Sequence, residues 1–323
     1  MRLIGLAVVL TLSLTLAPLA AEGQGARRMV TIGVLAPDAS PLLDSLRQGL
    51  RDLGYIEGEN IRFEHRYAEG RFERFAKLAT ELVSVKVDVI VTWGTAAALA
   101  AKRATKTIPI VMGAIGDPVG AKVVSSLAHP DGNITGLSAV TAELEEKRLE
   151  LLKEIVPRIS RIGLLGNPTN SYTAFALHHA RLAAQRLNVS LSVGEARDAA
   201  TLDDVLDKLA REHVDALAVV GDLFFVSQRR RIAQFALDHR LPSSYTYREH
   251  VEVGGLLAYA PDYRDLFRRS AIYVDKILKG AKPAELPIEQ PTKFEFVINL
   301  KTAKALGLTI PQSVVVRANE ILQ

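Results

Sequence analysis

Residues 87–101 read VDVIVTWGTAAALAA. Five of the first six are β-branched and suit a buried, pleated strand. The alanine run that closes the stretch suits a helix. Between them stand Trp93, Gly94 and Thr95, with a glycine where the chain must turn sharply. A strand that runs straight into a helix is half of a βα unit. Repeated βα units give a parallel sheet with helices on both faces.

The same grammar recurs on either side. Residues 29–35 (MVTIGVL) form a strand, then a turn over Pro37, Asp38 and Ser40, then a helix carrying Leu42, Leu43, Leu46 and Leu50 at helical spacing. Residues 61–67 alternate with period two, as a half-buried strand does. Phe72, Phe75, Leu78, Ala79 and Leu82 mark one helix face. Short strands follow at 109–112 and 134–137. The rhythm then restarts with a helix over 142–156 and a strand at 161–165. Further strands fall at 189–193, 215–220, 241–245, 256–259 and 294–298. Helices fall at 202–209, 225–239 and 266–278.

Two such series predict two doubly wound parallel-sheet α/β lobes. A length of 323 residues also fits two domains. The proline-rich stretch 283–291 (PAELPIEQP) follows the last long helix and reads as an extended crossing between lobes. The lobes are therefore expected to be discontinuous. One takes residues 28–137 plus 262–286, the other 138–261 plus 287–323. Crossings are expected near Gly136 to Ser138, Ala260 to Pro261 and Leu286 to Pro291.

Composition removes several function classes. The net charge is +4, and basic residues are scattered. Arg229-Arg230-Arg231 reads as one solvated helix turn, not a nucleic-acid patch. With no cysteine there is no disulfide, thiolate metal site or cysteine nucleophile. Residues 1–25 read as a signal peptide: Arg2, an apolar run over 3–16, then small residues at Ala17, Ala20, Ala21 and Gly23. No later apolar run is long enough to span a bilayer. The expected product is a periplasmic or extracytoplasmic protein with no membrane insertion of the mature chain.

In open parallel sheets, ligands bind beyond the carboxyl ends of the strands, where helix N-termini offer unpaired N–H groups. Five turns supply candidates: Asp38 and Ser40; Trp93, Gly94 and Thr95; Asp117; Asn167, Thr169, Asn170 and Ser171; and Asp222. Each turn alone is also explained by helix capping. Their convergence on one cleft is the argument for a ligand. Thr95 and Ser171 suit an anionic group, and Asp117 or Asp222 an ammonium or a sugar hydroxyl. Trp93 and Tyr245 are candidate walls. No phosphate loop, nucleophile elbow or zinc motif appears. No metal, cofactor or catalytic residue is expected.

Several motifs then resemble one family. Gly116-Asp117-Pro118-Val119-Gly120, Ser125 and Leu127, and Pro130-Asp131-Gly132-Asn133-Ile134-Thr135-Gly136 are similar to the signature DPVG…SL…PGGNVTG. Asp131 replaces a usual glycine. Gly254-Gly255-Leu256 with Tyr259, Tyr273 through Pro283, and Leu286 through Phe294 running into Ile298 through Leu308 match in the same order. These belong to the tryptophan/tyrosine-type ABC transporter substrate-binding proteins. The resemblance covers essentially the whole mature chain. It implies a type I periplasmic-binding-protein fold with three crossover segments, and a partner permease with its ATPase. The protein is expected to act as a monomer and to close on an amino-acid-like or other small carboxylate ligand. Tryptophan itself is not carried over as the ligand. A sensor or adaptor for a membrane receptor, and a secreted doubly wound enzyme, are the alternatives.

Overall fold

A computed structural model describes residues 29–139 and 143–323. The expected signal segment, 1–25, lies outside the described residues. The chain opens with β1 (Val30–Ala36), α1 (Leu42–Asp52), β2 (Ile61–Tyr67), α2 (Phe75–Val85), β3 (Val89–Trp93), α3 (Thr95–Ala104), β4 (Ile110–Ile115) and β5 (Ile134–Ser138). It continues through α4 (Glu143–Ile155), β6 (Arg161–Gly166), α5 (Ser171–Leu187), β7 (Ser190–Glu195), α6 (Ala199–Arg211) and β8 (Ala216–Val219). Next come α7 (Leu223–Ser227), α8 (Arg229–Asp238), β9 (Ser243–Tyr245), α9 (Arg248–Glu252) and β10 (Leu257–Pro261). The chain ends with α10 (Tyr263–Leu278), β11 (Phe294–Asn299), α11 (Leu300–Ala305), α12 (Gln312–Val315) and β12 (Glu320–Leu322).

The strands form two sheets, ordered β2-β1-β3-β4-β5 and β12-β11-β10-β9-β8-β6-β7. All pairs are parallel except β10 with β11. That antiparallel pair departs from the all-parallel expectation. It arises because β11 enters the second sheet along a crossing segment instead of after a helix on that sheet.

Alternation along each strand builds a core on both faces of the first sheet. Ile32 and Val34 of β1 join Leu46, Leu50, Phe267 and Val274 on the face covered by α1 and α10. Leu35 and Ile90 point the other way, into Leu78, Leu82, Ala97 and Ala98 of α2 and α3. Truncating such a buried Leu or Ile to Ala costs about 2–5 kcal/mol.

α10 follows β10 of the second sheet in sequence but packs on the first sheet. A Cβ at Gly49 of α1 would lie 2.4 Å from the Arg268 carbonyl oxygen of α10, so the two helices touch there without a side chain between them. In the second sheet, Ile162 and Leu164 face α4 and α5, while Leu165, Leu217 and Val219 face α6 and α8.

The chain passes between the sheets three times: after β5, between β10 and α10, and before β11. The first and last crossings run side by side. Leu137 bridges Glu289, and the Ser138 amide donates to the Glu289 carbonyl at 2.9 Å. Beside the second crossing, the Asp262 amide donates to the Lys293 carbonyl at 2.9 Å.

The helix expected over 225–239 is two helices, α7 and α8, broken at Gln228. The break turns Arg229 toward the gap between the lobes, where it is half-buried. Arg231 pairs instead with Asp203, and Arg230 is exposed. The run of three arginines is thus only partly a solvated turn.

Candidate functional site

The carboxyl ends of both sheets face one another across the gap. Two chambers lie between them. The larger, about 720 Å³, is on the α2 and α3 side of the first sheet. The smaller, about 420 Å³, is on the α1 and α10 side. Both volumes fall within the range of small-molecule pockets. Pro37, Trp93 and Leu223 border both chambers and form the partition.

The lobes meet at this partition. Gly94 has φ +79° and ψ 144°, a conformation open in practice only to glycine. A Cβ there would lie 2.7 Å from Leu223 Cδ1 of the opposite lobe. Nearby, Gly116 of the first lobe faces the Tyr172 ring, which a Cβ would meet at 3.1 Å.

Trp93, Gly94, Thr95, Asn167, Thr169, Asn170, Ser171 and Asp222 all line the larger chamber. Gly94 gives α3 no side-chain cap, and the amides of Thr95, Ala96 and Ala97 have no acceptor among the described residues. These three residues border the chamber. Their N–H groups and the helix dipole favour a negative charge at that end. From the other lobe, α5 is capped by Asn170, whose Oδ1 accepts from the Tyr172 amide at 3.1 Å. The same Asn170 donates through Nδ2 to Asp222 at 2.7 Å. Asp222 also accepts from the Phe224 amide at 2.8 Å. Burial raises the Asp222 carboxyl above its ordinary value, against the lowering effect of these bonds. One wall of the chamber is therefore rich in free donors, and the opposite one carries a buried carboxyl. Thr169 is held in place by Asn167, whose Oδ1 accepts from its amide at 3.0 Å and its hydroxyl at 2.8 Å.

Asp38, Ser40 and again Trp93 line the smaller chamber. The Trp93 indole meets Phe267 edge-on, with ring centroids 5.1 Å apart. Two expected residues reach neither chamber. Asp117 accepts from the Gly120 amide at 2.8 Å and so closes its own turn. Tyr245 is fully buried in the second lobe and stacks on His250 at 4.5 Å.

Sequence reasoning missed Leu223, Arg229, Tyr247, Glu249 and Tyr263, all of which border the smaller chamber. The strand-end rule that selected the other turns reaches Tyr247 once β9 is placed, because Tyr247 lies just beyond it. The Tyr245 side chain belongs to the strand and points into the core.

Below the larger chamber, Tyr172 joins a buried ionic network. Its hydroxyl donates to Glu145 at 3.1 Å, Arg148 pairs with Glu145, and Arg148 also donates to the Tyr259 carbonyl at 2.7 Å. Arg148 is 1% exposed. The network ties α4, which follows the first crossing, to β10, which leads into the second. Among the described residues, no group of three or more His, Cys, Asp or Glu is placed to hold a metal ion. Nor is any helix of those residues long and apolar enough to cross a membrane.

Comparison with known proteins follows the same lines. Residues 30–322 match the family model described as ABC transporter substrate binding protein. A tyrosine-binding protein of Clostridioides difficile (strain R20291) is 28% identical over 286 residues, covering 87% of this chain and 82% of that one. An ABC domain from Streptococcus pneumonia, solved in complex with L-Trp, is 28% identical, with a TM-score of 0.84 over 91% of this chain and 100% of that one. A ligand-free, open substrate-binding protein with adhesive properties from Clostridium difficile is 25% identical. It covers 91% of this chain and 99% of that one, at a TM-score of 0.68.

Proposed function

We propose that this chain, which belongs to the ABC transporter substrate-binding protein family, closes its two lobes on a small amino-acid-like carboxylate and delivers it to a membrane permease with its ATPase. Substrate binding itself comes with the family. The observation that carries it is the convergence of the uncapped α3 terminus and the Asn170–Asp222 pair on one chamber. A carboxylate accepts from the α3 amides and the Thr95 hydroxyl. An ammonium group on the same ligand faces Asp222. No covalent step is needed.

Contact of the lobes at Gly94 and Leu223 supports a closed arrangement. So does the higher structural similarity to the L-Trp complex than to the open, ligand-free relative. In this reading the closed form is the one that binds tightly, and the crossings at 138, 261 and 287–293 take up the rotation. The expected location is extracytoplasmic, as for the family, with residues 1–25 directing export. The mature chain works as a monomer.

The test is a thermal-shift screen of L-amino acids and small carboxylates against the mature protein. A ligand at a hundred times its Kd adds about 2.7 kcal/mol to stability. For a chain of this size that raises Tm by about 5–10 °C. A screen in which no amino acid or carboxylate moves Tm would refute the proposal.

A further inference from the structure

The smaller chamber has its own chemistry. One part of its wall is aromatic. Tyr247 and Tyr263 stack with centroids 5.3 Å apart, and Trp93 and Phe267 pack edge-on beside them. Another part is acidic, with Asp38 from the first lobe and Glu249 from the second. Neither carboxylate has an ion pair or side-chain hydrogen bond among the described residues.

Three arginines also border the chamber, and their commitments decide its charge. Arg248 is held by Glu252 at 2.8 Å, by Glu320 at 2.9 Å and by Glu295, so it is fully engaged. Arg264 is exposed at the rim. Arg229 donates to the Val226 carbonyl at 2.9 Å and has no ion pair among the described residues. Counting every charged side chain on its border, four carboxylates (Asp38, Glu249, Glu252 and Glu295) stand against these three guanidiniums, an excess of one negative charge. Thr246 lines the same chamber at 6% exposure, and its hydroxyl has no hydrogen-bond partner among the described residues.

We propose that this chamber is a receptor for an organic ammonium group, held between the Tyr247–Tyr263 and Trp93–Phe267 walls and paired electrostatically with Glu249 and Asp38, the Thr246 hydroxyl accepting an N–H where the ammonium carries one. The inference rests on the reading of the inter-lobe cleft as the ligand site. It adds that the cleft has a second, cation-selective compartment. Aromatic faces attract cations through the ring quadrupole, and more strongly when water is excluded. Burial first, and then the neighbouring Glu252 and Glu69, raise the Glu249 and Asp38 carboxyls respectively above their ordinary values, while Arg229 lowers both. Because Asp38 and Glu249 belong to different lobes, a cation between them also bridges the closure.

Trp93 is the only tryptophan and sits on the chamber wall, so its fluorescence reports occupancy directly. The mature protein is titrated with phenethylamine and choline, with their neutral counterparts 2-phenylethanol and 3,3-dimethylbutanol, and with phenylacetate and the L-amino acids. The two amines are expected to change Trp93 emission saturably. Their neutral counterparts bind at least about tenfold more weakly, a difference of about 1.4 kcal/mol. Glu249→Gln, close in shape to the native residue, weakens amine binding at least about tenfold. The exposed Asp38→Asn weakens it to a smaller extent without affecting folding.

Equal binding of amines and alcohols would overturn the inference. So would amine binding undiminished in both variants, or no saturable amine response. If carboxylates or amino acids still bind in that last case, only the second compartment is lost. If no member of the panel binds, the reading of the cleft falls as well.

Discussion

Replacing Asp222 with Asn separates ligand recognition from folding. In the folded protein this carboxyl is 6% exposed and accepts two hydrogen bonds, from Asn170 Nδ2 at 2.7 Å and the Phe224 amide at 2.8 Å. An asparagine keeps a carbonyl for Phe224. It presents an amide to Asn170, which cannot simply flip, because its own oxygen caps the Tyr172 amide. One charge-assisted bond is therefore lost, worth about 1.5–3 kcal/mol. Against that stands the burial of the charge. A carboxyl raised above its ordinary value in the folded state contributes a penalty at neutral pH, and the penalty shrinks as pH falls toward the unfolded value. The amide removes it. The two effects oppose each other, and the expected net change is within about 1–2 kcal/mol, or a few degrees in Tm. Binding has no such compensation. A ligand ammonium facing an amide in place of a buried carboxylate loses about 2–5 kcal/mol, which is about thirtyfold to several thousandfold in Kd. Titration calorimetry with L-tyrosine and L-tryptophan, extended to whichever amino acid the thermal screen selects, measures the loss. Differential scanning calorimetry of the unliganded variant measures the rest. If Asp222→Asn binds the selected ligand within threefold of the native protein, Asp222 is no ligand partner. A fall in Tm of more than about 10 °C would make it a structural residue instead.

Two further outcomes concern the frame around the site. Arg148→Met strands the buried Glu145 and costs about 3–5 kcal/mol, while adding Glu145→Gln recovers much of the loss; urea unfolding of the single and double variants checks this, and a single variant within 1 kcal/mol of the native protein contradicts it. His250 is almost fully buried, and burial lowers its imidazole from the ordinary 6.5 to about 4. Its neutral form is favoured in the folded state, so the stability it supports is complete above pH 6.5 and is lost as pH falls toward 4. The loss amounts to roughly 3 kcal/mol. His250→Phe keeps the stack on Tyr245, and its stability relative to the native protein should improve by that amount between pH 7 and pH 4; parallel unfolding curves at the two pH values that keep a constant gap would rule this out.

The elements were legible where local chemistry is decisive. Buried β-branched runs such as residues 89–93 read as strands, and the turns after β1, β3, β4, β6 and β8 were found from composition. The failures lie in side-chain direction and in short elements, neither of which composition reports. Asp117 was expected to be a ligand group, but its Oδ1 closes its own turn and it borders neither chamber. Tyr245 looked like a wall, but strand alternation buries it. Arg229 looked solvated, but the break at Gln228 rotates it into the cleft. α9 has only five residues, too few for a periodic signal, so Tyr247 and Glu249 passed unnoticed.

The wall shared by the two chambers is made of Pro37 and Trp93 from one lobe and Leu223 from the other. Neither compartment can open alone, since any separation of Gly94 from Leu223 breaches both. Under the proposal of two ligand compartments, guests in them are thermodynamically linked. Whichever arrives first prepays the cost of bringing the halves together, and each strengthens retention of the other by the same factor.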